Sequence, residues 1–287
     1  MKWLVYLMLL SLPLLKAQQN PSGAAGRGAN FYSIERESAI GAQLAIEFQQ
    51  RNQVLDNSQV NGYLMRIGAR LLRQIPDTGL TFRIAAFADG EKTGIHEARV
   101  LPGGYIYVPE SLILTARDEA EFAGMLAHAV AHAANRDATR QATRATLATL
   151  ATIPLIVGGL DGDRGLGSGA VLPVSFLLFQ RTFELAADHL AAPMMARAGW
   201  DPEALARYIE REQPAGDPPI SGVAPRLPSA LPPRDERAAS LRKEIANLPR
   251  RDYSVSAEFA AVQNEVRRLN ADPAHSATPP TLNPPLK

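Results

Sequence analysis

The pentapeptide His128-Ala129-Val130-Ala131-His132 lies inside a stretch that reads as helix. Residues four apart stand on one helical face, one turn above the other. Two imidazoles placed this way can grip a single zinc ion. The helix has its own start signal, because Asp118 followed by Glu121 forms a capping box. Phe122, Met125, Leu126, Ala129, Val130 and Ala133 then recur at helical spacing. The competing reading of the pair is two polar residues at the edge of a half-buried helix.

A second segment bears on the choice. Gln180 through Asp188 also reads as helix, with Glu184 and Asp188 four apart on one face. A carboxylate from this face would complete a His-His-Glu shell and leave a fourth position for water or substrate. Asp188 could accept a hydrogen bond from the far nitrogen of a ligating histidine and fix its tautomer. Taken alone, the segment reads better as a solvated acidic face. In the pattern H-E-x-x-H a glutamate follows the first histidine and serves as general base. Here that residue is Ala129, which carries no proton acceptor.

Together the two segments resemble the zinc metallopeptidases of family M48, which include the CAAX prenyl proteases, HtpX and BepA-like relatives. Arg181, Glu184, Ala187 and Asp188 match the family's R-x-x-E-x-x-A-D motif. Leu101-Pro102-Gly103-Gly104 followed by Tyr105–Val108 is similar to its P-G-G strand. Asp118 through His128 is similar to its D-E-A-E-L-A-G-V-L-A-H entry to the metal helix, and Ala198-Gly199-Trp200-Asp201-Pro202 to its A-G-Y-D-P. The resemblance covers about residues 34–247, with the motifs in order. It implies a Zn2+ ion held by His128, His132 and Glu184, with Asp188 orienting a ligating histidine. It also implies an α+β, mainly helical, zincin-like domain with a small β-sheet beside the metal helix.

The chain departs from the family at three polar positions. Ala129 stands where the general base belongs. Ala230-Leu231-Pro232-Pro233 stands where members often carry T-H-P-P, so Leu231 replaces a histidine. Arg136-Asp137 replaces the R-H after the metal helix. A positioned general base contributes about 10²–10⁴-fold in rate. Two carboxylates lie nearby in sequence, but Glu121 falls two turns below His128 and Asp137 falls well off the His132 face.

Composition fits a folded domain, with length enough for one large domain or two small ones. The chain has 287 residues, of which 46% are hydrophobic, and a formal net charge of +1. No long basic block is present, which argues against nucleic acid as a partner. With no cysteine, the chain has no disulfide framework, thiolate metal site or lipoprotein anchor. Residues 1–17 read as a signal peptide, with a basic start, a 12-residue apolar run from Leu4 to Leu15 and Ala17 at the cleavage position. The expected location is therefore periplasmic or secreted.

The remaining expectations follow the chain. Residues 18–33 form a flexible lead-in, 34–271 the metallopeptidase-like domain and 272–287 a disordered Pro-rich tail. Helices are expected at Glu35–Gln50, Val60–Leu72, Asp235–Leu248 and 256–270, and strands at Thr81–Phe87 and Tyr105–Val108. Tyr105 and Tyr107 read as ordinary strand packing. Arg237, Arg242 and Lys243 read as a solvated charged face. Residues 145–179 read as an apolar helical hairpin around a Gly-rich loop, with peripheral membrane contact as its minority reading. Pro214–Pro233, with seven prolines, reads as a lid-like loop. An extended peptide or unfolded protein segment is the expected partner, added to an edge strand through backbone hydrogen bonds. Two functions stay open: a weakened zinc endopeptidase of the cell envelope, and a non-catalytic, zinc-containing peptide-binding or chaperone-like protein.

Overall fold

Ser33, Asn57 and Asp118 each cap a helix. Their side chains accept from Arg36 N, from Gln59 N and Val60 N, and from Glu121 N respectively. Glu121 completes its box one residue early, accepting from Arg117 N at 2.8 Å. The computed structural model describes residues 28–90, 96–156, 181–215, 231–249, 251–253 and 256–271. In chain order the elements are α1 (Ile34–Arg51), β1 (Gln53–Val54), α2 (Ser58–Leu72), β2 (Arg83–Ala88), β3 (Arg99–Leu101), β4 (Tyr105–Pro109), α3 (Glu110–Thr115), α4 (Glu119–Ala134), α5 (Asp137–Ile156), α6 (Arg181–Ala198), α7 (Glu203–Glu212), α8 (Arg234–Ile245) and α9 (Glu258–Ala271). The strands form one sheet in the order β1-β2-β4-β3, with β2 and β4 parallel and the outer pairs antiparallel. This is the mainly helical α+β plan with a small sheet.

The expected helices and strands appear within a few residues of their expected ends. Strands β1 and β3 leave no mark in the sequence pattern, because two or three residues are too few for alternation to show. The signal segment 1–17, most of the lead-in, the tail 272–287, and most of the 145–179 hairpin and the Pro-rich loop lie outside the described residues. Among the described residues no helix is long and apolar enough to cross a membrane.

Helix α4 is the axis of the molecule. Every residue from Phe122 to Ala133 is buried, with α2, α6, α7 and the sheet packed around it. A helix apolar on all sides belongs in a core. The half-buried helix with wet polar edges is therefore excluded for the histidine pair. His128 and His132 are 3% and 2% exposed, so their nitrogens need partners inside the protein.

The sheet is seated by a close approach. A Cβ on Gly41 of α1 would lie 1.9 Å from the Pro102 carbonyl oxygen, so only glycine lets α1 press on the Pro102-Gly103-Gly104 turn. Gly103 and Gly104 have φ of 76° and 87°, which glycine adopts without steric penalty. That turn closes the β3–β4 hairpin, with Leu101 opposite Tyr105. Tyr105 and Tyr107 pack as strand residues: Phe48 stacks on Tyr107 at 4.2 Å, and Gln49 donates to the Tyr107 hydroxyl at 2.8 Å.

Candidate metal centre

Three side chains from two helices converge in the core. Capping at Asp118 sets the start of α4, and helical period then places His128 and His132 on the face that meets α6. Helix α6 places Glu184 and Asp188 on the opposing face. His128 Nε2 and His132 Nε2 lie 3.0 Å apart. Glu184 Oε2 lies 3.4 Å from the first and Glu184 Oε1 3.6 Å from the second. Donors on a tetrahedral metal at zinc–nitrogen bond lengths are about 3.4 Å apart, so the three side chains fit one ion. Glu184 Oε2 is buried yet forms no hydrogen bond among the described residues, and a metal would use it. His128, His132 and Glu184 form a candidate metal site.

Each imidazole is held from behind. His128 Nδ1 bonds Asp188 Oδ1 at 2.8 Å, and His132 Nδ1 bonds Asp137 Oδ2 at 2.9 Å. A carboxylate on Nδ1 fixes the proton there and turns the Nε2 lone pair toward the centre. The Asp137 contact corrects the sequence reading. In an unbroken helix Asp137 would point away from His132, but α4 ends at Ala134 and Arg136 turns left-handed at φ 57°. The turn swings Asp137 back beneath the ring.

Arg237 is the second correction. It is 0% exposed, not part of a solvated face. Its Nε and Nη2 donate to Asp188 Oδ2 and Oδ1 at 2.6 and 3.1 Å. Nη1 donates to Glu97 Oε1 at 3.0 Å and Gln213 Oε1 at 3.3 Å. Nη2 comes within 3.4 Å of His128 Nε2 and 3.9 Å of Glu184 Oε2. The signal was present in the sequence. Arg237 adjoins Ala238 and precedes Leu241 by four, so it lies on the helix's only buried stripe. Nothing in the sequence marked Glu97 or Gln213 as its partners.

The centre is a strongly anionic field. Burial opposes protonation of His128, but the Asp188 carboxylate and Glu184 outweigh it and raise the imidazole to about 10. Burial likewise opposes His132, and Glu184 reverses the balance upward. Burial would raise Glu184 and Asp188, yet the histidines hold Glu184 well below the carboxylate range, and Arg237 with His128 holds Asp188 down. Cations are therefore what the cavity wants, and a metal entering it would displace protons from the rings.

Ala129 is 2% exposed and sits in the main apolar cluster, where its methyl packs. Leu231 is half-buried just ahead of α8, where the described end of the Pro-rich loop begins.

Residues 58–245, more than half of the chain, match the model of peptidase family M48. A putative beta-barrel assembly-enhancing protease of Vibrio cholerae is 24% identical over 188 residues, covering 62% of this chain and 38% of the relative. A protease HtpX homolog of Acidiphilium cryptum is 32% identical over 162 residues, 45% of this chain and 56% of that protein. The mitochondrial metalloendopeptidase OMA1 of Schizosaccharomyces pombe is 33% identical over 118 residues, 40% of this chain and 34% of the relative. The chain thus spans between about a third and somewhat over half of the length of these curated relatives.

Proposed function

Because the chain belongs to peptidase family M48, we propose that His128, His132 and Glu184 hold one zinc ion in a peptidase fold whose hydrolytic step is impaired. The donor set carries this reading: two imidazoles and one carboxylate whose ligand atoms lie within 4.8 Å of one another, the kind of three-residue shell that catalytic zinc sites use. Zinc bound there would polarise a peptide carbonyl and lower the pKa of a bound water. The chain's own residues then have separate tasks. Asp188 orients His128, and Arg237 neutralises Asp188 and keeps it in place. At position 129 a side chain able to take a proton is missing.

Peptide is the substrate class that fits. Strand β3 ends the sheet beside α4, and among the described residues no strand pairs with its outer edge. An extended segment added there would gain backbone hydrogen bonds without sequence demands. The second reading, a non-catalytic binder of extended or unfolded segments, rests on Ala129. Hydrolysis of a quenched fluorescent peptide by the zinc-loaded chain separates the two. The expected result is turnover at or near the background of a chelator-treated sample, and robust chelator-sensitive cleavage would contradict impairment.

The basic start, apolar run and Ala17 of residues 1–17 support export to the periplasm or beyond. Mass analysis of the mature N-terminus is expected to find Gln18 first. Soluble cytoplasmic protein that keeps Met1 would contradict export.

A further inference from the structure

Two carboxylates back the two histidines, and Asp188 serves only one of them. We propose that Asp137 is the positioning residue for His132, holding its ring so that Nε2 faces the metal. The proposal rests on the zinc reading of the centre. Asp137 and His132 are 1% and 2% exposed, so water does not compete for their 2.9 Å contact.

The chain goes to some length to make this contact. Five residues of continuous helix would set Asp137 about 140° around the axis from His132. Instead Asn135 N and Arg136 N bond Ala131 O and Ala133 O at 2.9 and 3.0 Å, and Arg136 takes a left-handed conformation rare for a non-glycine residue. Helix α5 then begins at Asp137 itself. The Arg136 guanidinium is pinned by Glu37 of α1 at 2.6 Å and by the Tyr32 carbonyl at 2.7 Å. Glu37 is itself buried and also accepts from Thr139 Oγ1 at 2.8 Å and Gly103 N at 3.2 Å. Neighbours of this kind hold a residue in an unfavourable backbone conformation. The orientation of His132 therefore depends on a clamp that reaches from the metal helix to α1 and the β3–β4 turn.

An acid in the first turn of α5 also favours that helix without any metal, so the test has to separate the two roles. Zinc affinity is measured by competition with a chromophoric chelator for the parent chain, Asp137→Ala and Asp137→Asn. Urea unfolding of each metal-free protein reports the structural role separately. Loss of the carboxylate from a ligating histidine typically weakens metal binding about 10–100-fold, and that is the result expected for Asp137→Ala. Asp137→Asn keeps an acceptor but no charge, and is expected to fall between. A folded Asp137→Ala that binds zinc as tightly as the parent overturns the proposal. If Asp137→Ala does not fold, Asp137→Asn decides: a several-fold loss supports the role and parent-like affinity overturns it. A parent chain that binds no zinc at all overturns the zinc reading, and this proposal with it.

Discussion

Ala129→Glu raises peptide hydrolysis by the zinc-loaded protein by about 10²–10⁴-fold, the range a positioned general base contributes. The backbone at 129 is already in place. It is helical, it directly follows a candidate metal ligand, and it lies three residues before the other. A carboxylate there would stand where a metal-bound water could lose its proton. The present methyl is 2% exposed among apolar neighbours, so the new side chain must displace some packing. A loss of up to about 1–3 kcal/mol in stability is the expected cost of such overpacking. Turnover is measured against the parent with zinc content equalised. No gain despite bound zinc and intact folding would contradict the view that only the base is missing. Arg237 would then be the first suspect, because its Nη2 already lies 3.4 Å from His128 Nε2. Leu231 would be the second, standing where the family resemblance places an imidazole.

Arg237→Ala lowers stability by about 3–5 kcal/mol, the cost of leaving a buried ionic partner uncompensated. The guanidinium is fully buried and bonds both oxygens of Asp188. Without it Asp188 keeps only His128 among the described residues. Asp188 titrates below its ordinary value, where burial alone would have raised it. Its contribution is therefore present above the unfolded carboxylate value near ~4 and lost as pH falls through the folded one. In Arg237→Ala that contribution shrinks, so the gap from the parent is widest near neutral pH and narrows in acid. Urea unfolding of the metal-free proteins at several pH values measures this. A loss under about 1 kcal/mol, as for an exposed pair, would contradict the buried network.

Most of the helical frame and the three candidate ligands were legible in the sequence, for physical reasons. Helical period alone sets His128 beside His132 and Glu184 beside Asp188, and caps such as Asp118 announce where a helix begins. Family-like motifs tied the two helices together. What the sequence does not show depends on chain direction and tertiary burial. Asp137 reaches His132 only through one left-handed residue, and a left-handed arginine has no sequence signature. Arg237 reads as surface because charged residues usually are, although its place on the Ala238 and Leu241 stripe points inward. Strands β1 and β3 were too short to show alternation. Glu97, just ahead of β3, and Gln213, at the end of α7, enter the network from segments far apart in sequence, and only tertiary packing brings them to Arg237.

Metal content tests the centre most directly. The purified parent chain is expected to carry one zinc, and His132→Ala close to none, because a site of three protein ligands reduced to two no longer completes a tetrahedral shell. Equal, near-zero zinc in both proteins would contradict a metal centre at His128, His132 and Glu184.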